Sequence, residues 1–265
     1  MKHENISGGD RLQYIAYAKS DSGICECVNE DCIAYFSKIK NRTKAFLLIV
    51  CDGVGGLSYG EIASRCLVRE FYHWFTLLDE RIFQAKLWEE EIIRQGKRIL
   101  CKMNQRIKQV GKRHFQMLGT TISALVIYKN TYVLLHVGDS RVYKINHFVH
   151  KISKDHTLYE KKKKDFKYWL KQDREKDKHI LTQCVGVTSK LDPYIKVGKI
   201  RRKTSFLLCS DGFYQKLKTK EIKKYFSPKF CRKKERICYG LYSCIRLVKE
   251  REETDNISAV VAICR

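Results

Sequence analysis

Five acidic positions in this chain stand where an apolar segment begins or ends, each beside glycine or asparagine. They are Asn29-Glu30-Asp31, Asp52-Gly53-Val54-Gly55-Gly56, Gly138-Asp139-Ser140-Arg141, Ser210-Asp211-Gly212 and Asp255-Asn256. A carboxylate at a strand end costs little while water reaches it. Several converging on one spot repel and raise each other's pKa unless cations sit between them. Oxygen-only ligands select hard ions, Mg²⁺ or Mn²⁺, rather than zinc. Two such ions about 3.5–4 Å apart can turn a bridging water into hydroxide and clamp a phosphoryl oxygen.

Each stretch alone has a plainer reading, since Asp-Gly is an ordinary turn. The glycines from Gly55 to Gly60 suggest a nucleotide loop, but Glu61-Ile62 follow where a P-loop needs Lys and Ser or Thr. Asp52 just before them would also repel a bound phosphate unless a metal intervened. Cys25, Cys27 and Cys32 raise the question of zinc. No C-x-x-C pair or partnering His cluster follows, so a structural zinc is not expected.

The elements that must carry these residues are legible in the apolar pattern. Ala45 to Cys51 is an apolar run ending at Asp52-Gly53, as in a buried strand delivering a side chain at its C-terminal end. Leu67, Phe71, Trp74, Phe75 and Leu78 recur at helical spacing, as do Ile93, Leu100, Met103, Ile107 and Val110. Two amphipathic helices are predicted, joined near Asp79 to Lys86, with these stripes as core rather than a cofactor box. Thr121 to Tyr128, Tyr132 to Val137 and Arg141 to Ile145 are rich in Val, Ile, Tyr and Thr. With turns at Lys129-Asn130 and Gly138-Asp139-Ser140 they predict a meander of antiparallel strands. Leu158 to Lys178 is charged and weakly helical, and reads as a mobile surface excursion. Ile195 to Ile200, Ser205 to Cys209 and Ile257 to Cys264 read as strands, with helical patterns at Lys218 to Tyr225 and Arg232 to Glu250. Strands and helices in blocks favour an α+β layered sandwich over a doubly wound parallel sheet.

Bulk properties narrow the setting. The 265 residues, 44% hydrophobic, suit one medium-sized domain or a small pair with a proper core. No apolar run approaches a bilayer span, and Met1-Lys2-His3-Glu4-Asn5 opens no secretory signal, so a cytoplasmic protein with no membrane span is expected. The 12 cysteines are scattered singly through strand-like and helix-like segments, which suits free thiols in a reducing compartment. A net charge of +24 concentrates anionic partners such as nucleic acid, acidic membranes or phosphoproteins, or else marks a lysine-rich solvated surface. The Lys161-Lys162-Lys163-Lys164 run is read as an exposed face.

In order, the motifs resemble those of the metal-dependent type 2C (PPM-type) serine/threonine protein phosphatases, especially compact bacterial members. The resemblance rests on Val28-Asn29-Glu30-Asp31, Cys51-Asp52-Gly53-Val54-Gly55-Gly56 with Gly60-Glu61-Ile62-Ala63-Ser64, and Leu118-Gly119-Thr120-Thr121. It continues through His136-Val137-Gly138-Asp139-Ser140-Arg141-Val142-Tyr143, Ile152-Ser153-Lys154-Asp155-His156-Thr157 and Leu181-Thr182-Gln183 with Val185-Gly186. Leu207-Leu208-Cys209-Ser210-Asp211-Gly212 and Asp255-Asn256-Ile257-Ser258-Ala259-Val260-Val261 complete it.

The resemblance implies one PPM-type domain over residues 1–265, a four-layer αββα sandwich of two central antiparallel sheets flanked by helix pairs, with a variable flap at about 157–180. It implies hydrolysis of phosphoserine and phosphothreonine by direct attack of a metal-bridging hydroxide, with no phospho-enzyme intermediate. Asp52, Asp211 and Asp255 take the catalytic positions. Asp52 would bridge both Mg²⁺ or Mn²⁺ ions and the Gly53 carbonyl would ligate one, with Asp211 and Asp255 completing the other. Glu30 and Asp31 would bind or orient metal-held water, Asp139 with Asp211 would hold a labile third ion, and Asn256 would support Asp255. Phosphorylated proteins are the implied substrates and a Ser/Thr kinase a candidate partner, with a monomer and no specific nucleic acid expected.

One departure matters. Family members usually carry a phosphate-gripping arginine four residues before the position of Glu30, and here that residue is Glu26. A carboxylate repels a phosphate dianion, so Lys19, Arg42 or the lysine-rich flap would have to reach in, or phosphate affinity falls. This keeps open a catalytically weak or regulatory phosphatase-fold module that binds phosphoproteins. A nucleic-acid binder that retains the fold is favoured by charge alone, without a recognisable motif.

Overall fold

Strands that are apolar on both faces need cover on both sides, and this chain supplies it by stacking two sheets between two sets of helices. The computed structural model describes residues 14–25, 28–40, 43–54, 59–163 and 171–264. First come β1 (Tyr14–Asp21), β2 (Cys32–Lys40), β3 (Thr43–Cys51) and the short β4 (Gly53–Val54), then α1 (Gly60–Leu77), α2 (Glu80–Gln84) and α3 (Trp88–Arg113). The middle of the chain gives β5 (Gly119–Thr120), β6 (Ile122–Tyr128), β7 (Thr131–Val137), β8 (Arg141–Ile145), β9 (Val149–Lys151), α4 (Leu158–Lys162) and α5 (Lys171–Asp177). It closes with β10 (Tyr194–Lys199), β11 (Thr204–Cys209), α6 (Asp211–Tyr214), α7 (Thr219–Phe226), α8 (Lys234–Lys249) and β12 (Ile257–Cys264).

One five-stranded sheet has the order β1-β12-β11-β8-β9 and the other β10-β7-β6-β3-β2, all antiparallel. Alternation along the strands builds three apolar layers. In β3, Leu47, Ile49 and Cys51 face α1 and α3, where Leu67, Phe71, Leu100 and Met103 are buried. Leu48 and Val50 point instead into the layer between the sheets, which they share with Val260 and Ala262 of β12. Ala259, Val261 and Ile263 face α8, under Ile237, Leu241 and Val248. The expected α+β sandwich with helices on both outer faces is the observed architecture.

The predicted three-strand meander is corrected. The β6–β7 hairpin forms, but β7's second neighbour is β10, and β8 lies in the other sheet between β11 and β9. Gly138, at φ +106°, turns the chain across, where a Cβ would sit 2.5 Å from Thr121 Cγ2. The physical reason is burial. Val142 enters the layer between the sheets while Tyr143 and Ile145 pack beneath α8, surroundings that only the β11 sheet provides. The described parts of the charged excursion are short helices: α4 is capped by Thr157, and Asp177 is buried in an ion pair with Lys162 at 3.0 Å.

Candidate metal centre

Antiparallel pairing brings the end of one strand beside the start of the next, and five aspartates stand at such points. Cys32 of β2 pairs with Cys51 of β3, so Asp31 and Asp52, the next residues outward, share one edge of that sheet. In the other sheet Cys209 pairs with both Arg141 and Ala259. Asp211 leaves β11 there, close to the segments where Asp139 leads into β8 and Asp255 into β12. The crossover at Gly138 ties the two groups together.

The electrostatics report that convergence. Burial, then the charges of Asp31, Asp211, Asp139 and Asp255, push the Asp52 carboxyl well above the usual carboxylate range. Burial followed by Asp139, Asp255 and Asp31 does the same to Asp211. Asp31 is pushed up to about 7 chiefly by burial; the Ser258 and Ser210 hydroxyls pull against it, and Asp255 and Glu30 add smaller rises. Asp139 also rises to about 7, from burial and then Asp155. Arg141 offsets part of the charge at Asp139, but its guanidinium is engaged by Asp155 at 2.8 Å and stacks over the Tyr214 ring. Among the described residues none of the five aspartates forms an ion pair with Lys or Arg.

Neutral donors hold the site in shape. The Asp52 amide donates to Thr121 Oγ1 at 3.1 Å, and its carbonyl accepts from the Thr121 amide at 2.8 Å and from Thr120 Oγ1 at 3.0 Å. Asp211 accepts from the Gly212 amide and from Gln215 Nε2, both at 2.7 Å. Asp255 accepts from the Asn256 amide at 2.6 Å. Glu30 lies at the start of α1: Oε1 accepts from the Gly60 amide at 3.3 Å, and its carbonyl accepts from Gly53 N–H and Ser64 Oγ–H. A Cβ on Gly60 would sit 2.4 Å from Glu30 Oε2, so only glycine allows this approach.

Asn256 does more than the sequence suggested. Its Oδ1 accepts from the Glu30 amide at 2.8 Å and its Nδ2 donates to the Ser22 carbonyl at 3.1 Å, stitching the loop that bears Glu30 and Asp31 to β12. Gln215 was missed, although its place four residues beyond Asp211 on one helical face was a usable signal. Asn29 was quoted only as a neighbour of Glu30, yet its Oδ1 accepts from the Asp31 amide and its Nδ2 donates to Ser20.

The donor set fits hard cations. Both Asp31 carboxylate oxygens are buried without a hydrogen-bond partner of good geometry. The Ser210 and Ser258 hydroxyls near them are turned to the Asn256 carbonyl and to Ser20. Among the described residues no group of three or more His, Cys, Asp or Glu side chains is placed so that it could hold a metal ion as it stands. Glu26, Arg42, Gly55, Gly56 and residues 164–170 of the flap lie outside the described residues.

A layered α+β sandwich with clustered, cation-deficient carboxylates at its sheet ends defines a class of metal-dependent hydrolases. The family model for protein phosphatase 2C matches residues 26–237, and the chain belongs to that family. It is 28% identical over 218 residues to the serine/threonine phosphatase stp of Listeria monocytogenes, covering 80% of this chain and 82% of that protein. The serine/threonine phosphatase of S. agalactiae superposes with a TM-score of 0.81 at 24% identity, over 95% of this chain and 99% of that one. The catalytic domain of the phosphatase PstP, solved with 2 manganese ions, gives a TM-score of 0.75 at 21% identity over 96% and 99%. Among the described residues no helix is long and apolar enough to cross a membrane.

Proposed function

We propose that this enzyme removes phosphate from phosphoserine and phosphothreonine in proteins, using a pair of Mg²⁺ or Mn²⁺ ions held by the five aspartates. The supporting observation is the acidic cluster itself: carboxylates that raise each other's pKa, none of them ion-paired with Lys or Arg among the described residues. Asp52 has the most aspartate neighbours and is assigned the position between the two ions, with the Gly53 carbonyl beside it. Asp211 and Asp255 hold the second ion, and Asp139 with Asp211 a more labile third. When bound, the ions supply water activation for direct attack at phosphorus and neutralise charge on the phosphoryl oxygens.

The chain's own residues prepare that chemistry. Thr120 and Thr121 fix the Asp52 backbone, Gln215 fixes the Asp211 carboxylate, and Asn256 holds the Glu30–Asp31 loop against β12. Thr120, Thr121 and Asn256 are buried, which limits water at their contacts and strengthens any charge interaction made beside them. Glu30, directed to the start of α1, is assigned to orienting water rather than to the centre of the cluster.

Asp52→Asn and Asp211→Asn are expected to lower Mn²⁺-dependent hydrolysis of a phosphothreonine peptide by at least ~100-fold with the circular dichroism spectrum unchanged. Full activity in Asp52→Asn, or in the chelated wild type, would overturn the proposal. Glu26 keeps a second reading in view, that of a weakly active module that binds phosphoproteins. Of the compensating cations, Lys19 lies over the Tyr242 ring at 4.9 Å. Tight phosphopeptide binding by the metal-loaded chain without turnover would favour that second reading.

A further inference from the structure

The two central strands of one sheet carry opposite charge at their opposite ends. Asp211 leaves β11 and Asp255 enters β12 at the acidic end. At the other end Arg202 and Lys203 lead into β11, and Cys264 closes β12. The α7–α8 connection brings Lys229 and Arg232 to the same place. These four cations line a cavity of about 840 Å³ whose wall includes Ile263 and Cys264, and no described residue lining it is acidic. Lys203, Lys229 and Arg232 are exposed, and among the described residues none is in an ion pair. Lys203 also sits at φ +58°, where glycine is less strained, so the turn holds a cationic side chain at a conformational cost.

We propose that this cavity is a docking site for an acidic segment of the phosphoprotein substrate, away from the phosphate that is hydrolysed. The proposal rests on the phosphatase reading for its choice of partner. Three exposed cations outside any ion pair among the described residues, Lys203, Lys229 and Arg232, recognise carboxylates or phosphates, and the volume is that of a ligand pocket rather than a flat patch. Apolar Ile263 and Pro228 in the wall suit a folded-in polypeptide segment. Nucleic acid would need cations tracking a backbone well beyond one concave pocket. The separation follows from the strand. The 8 residues of β12 span roughly 26 Å at about 3.3 Å each, so an extended substrate needs at least that many residues to engage both ends.

The test uses the full chain with Mn²⁺ and three phosphothreonine peptides. One carries a run of glutamates about twelve residues from the phosphothreonine, one carries it about three residues away, and one carries none. The long-spaced peptide alone should show a KM lowered roughly five- to tenfold at unchanged kcat. The triple variant Lys203→Glu, Lys229→Glu, Arg232→Glu should lose that preference while hydrolysing p-nitrophenyl phosphate at the wild-type rate. Equal KM values for all three peptides, or a preference that survives in the variant, would overturn the proposal. A labelled, unphosphorylated glutamate-rich peptide gives a readout without turnover. Its anisotropy should rise with wild-type protein and not with the variant. Peptide binding by a chain that hydrolyses nothing would leave the docking site standing and sink the phosphatase reading; hydrolysis without peptide binding would do the reverse. An oligonucleotide of equal charge displacing the peptide at lower concentration would overturn the choice of a protein partner.

Discussion

A carboxyl with both oxygens buried and no hydrogen-bond partner of good geometry, as in Asp31, holds its proton to higher pH than one in water. Its pKa rises from 3.8 in the unfolded chain to about 7 in the fold, through burial, which outweighs the opposing Ser258 and Ser210 hydroxyls. Between those values the folded protein binds a proton that the unfolded chain has released. The stabilising contribution is intact below the unfolded value and lost as pH rises through about 7. The metal-free protein should therefore melt several degrees lower at about pH 8 than at about pH 5, with the difference removed by Mn²⁺. Asp31→Asn should raise the alkaline Tm of the chelated protein by about 3–8 °C and shrink the Mn²⁺-induced rise. Differential scanning fluorimetry across pH checks both, and a chelated wild type with a flat Tm over that range would contradict the assignment.

At the scale of elements, one relay links a helix far along the chain to the acidic site. Asn104 of α3 is buried, accepts from the Gly186 amide at 2.7 Å and donates to the Thr188 carbonyl at 2.9 Å. Val185, beside Gly186, exchanges two backbone hydrogen bonds with Thr120, whose hydroxyl holds the Asp52 carbonyl. Asn104→Leu strands a buried N–H and a buried carbonyl and should cost about 2–4 kcal/mol, read as a shift in the urea midpoint. A shift below about 0.5 kcal/mol would mean that the loop is held by other contacts. Much of this layer was legible. Leu67, Phe71 and Phe75, and Leu100, Met103 and Ile107, mark α1 and α3 because a helix covering a sheet repeats its apolar face every three to four residues. β1 and β2 escaped notice because they are half-buried edge strands whose lysines and serines break the alternation. The turn at Gly138 was mistaken for a hairpin because local composition does not say which sheet receives the next strand. The aspartates were readable from their strand-end positions. The roles of Gln215 and Asn29 depend on side-chain directions that only the assembled fold supplies.

At the scale of the whole molecule, the acidic cluster lies across the seam between the two sheets. Asp31 and Asp52 belong to one sheet, while Asp139, Asp211 and Asp255 belong to the other. Like charges there press the sheets apart at one end, against the apolar layer that includes Leu48, Val50, Val260 and Ala262 and against the hydrogen bond between Asn256 and Glu30. On the proposed function, a divalent ion gripped from both sides would act as a clasp across that edge of the sandwich. Amide exchange in β3 and β12 should thus accelerate at least about tenfold when the protein is chelated, and the outer helices should change far less. Uniform protection with and without ions would mean that the layers are held equally well by their apolar contacts. If the edge loosens as expected, cation supply sets how firmly the protein stays closed as well as how fast it turns over.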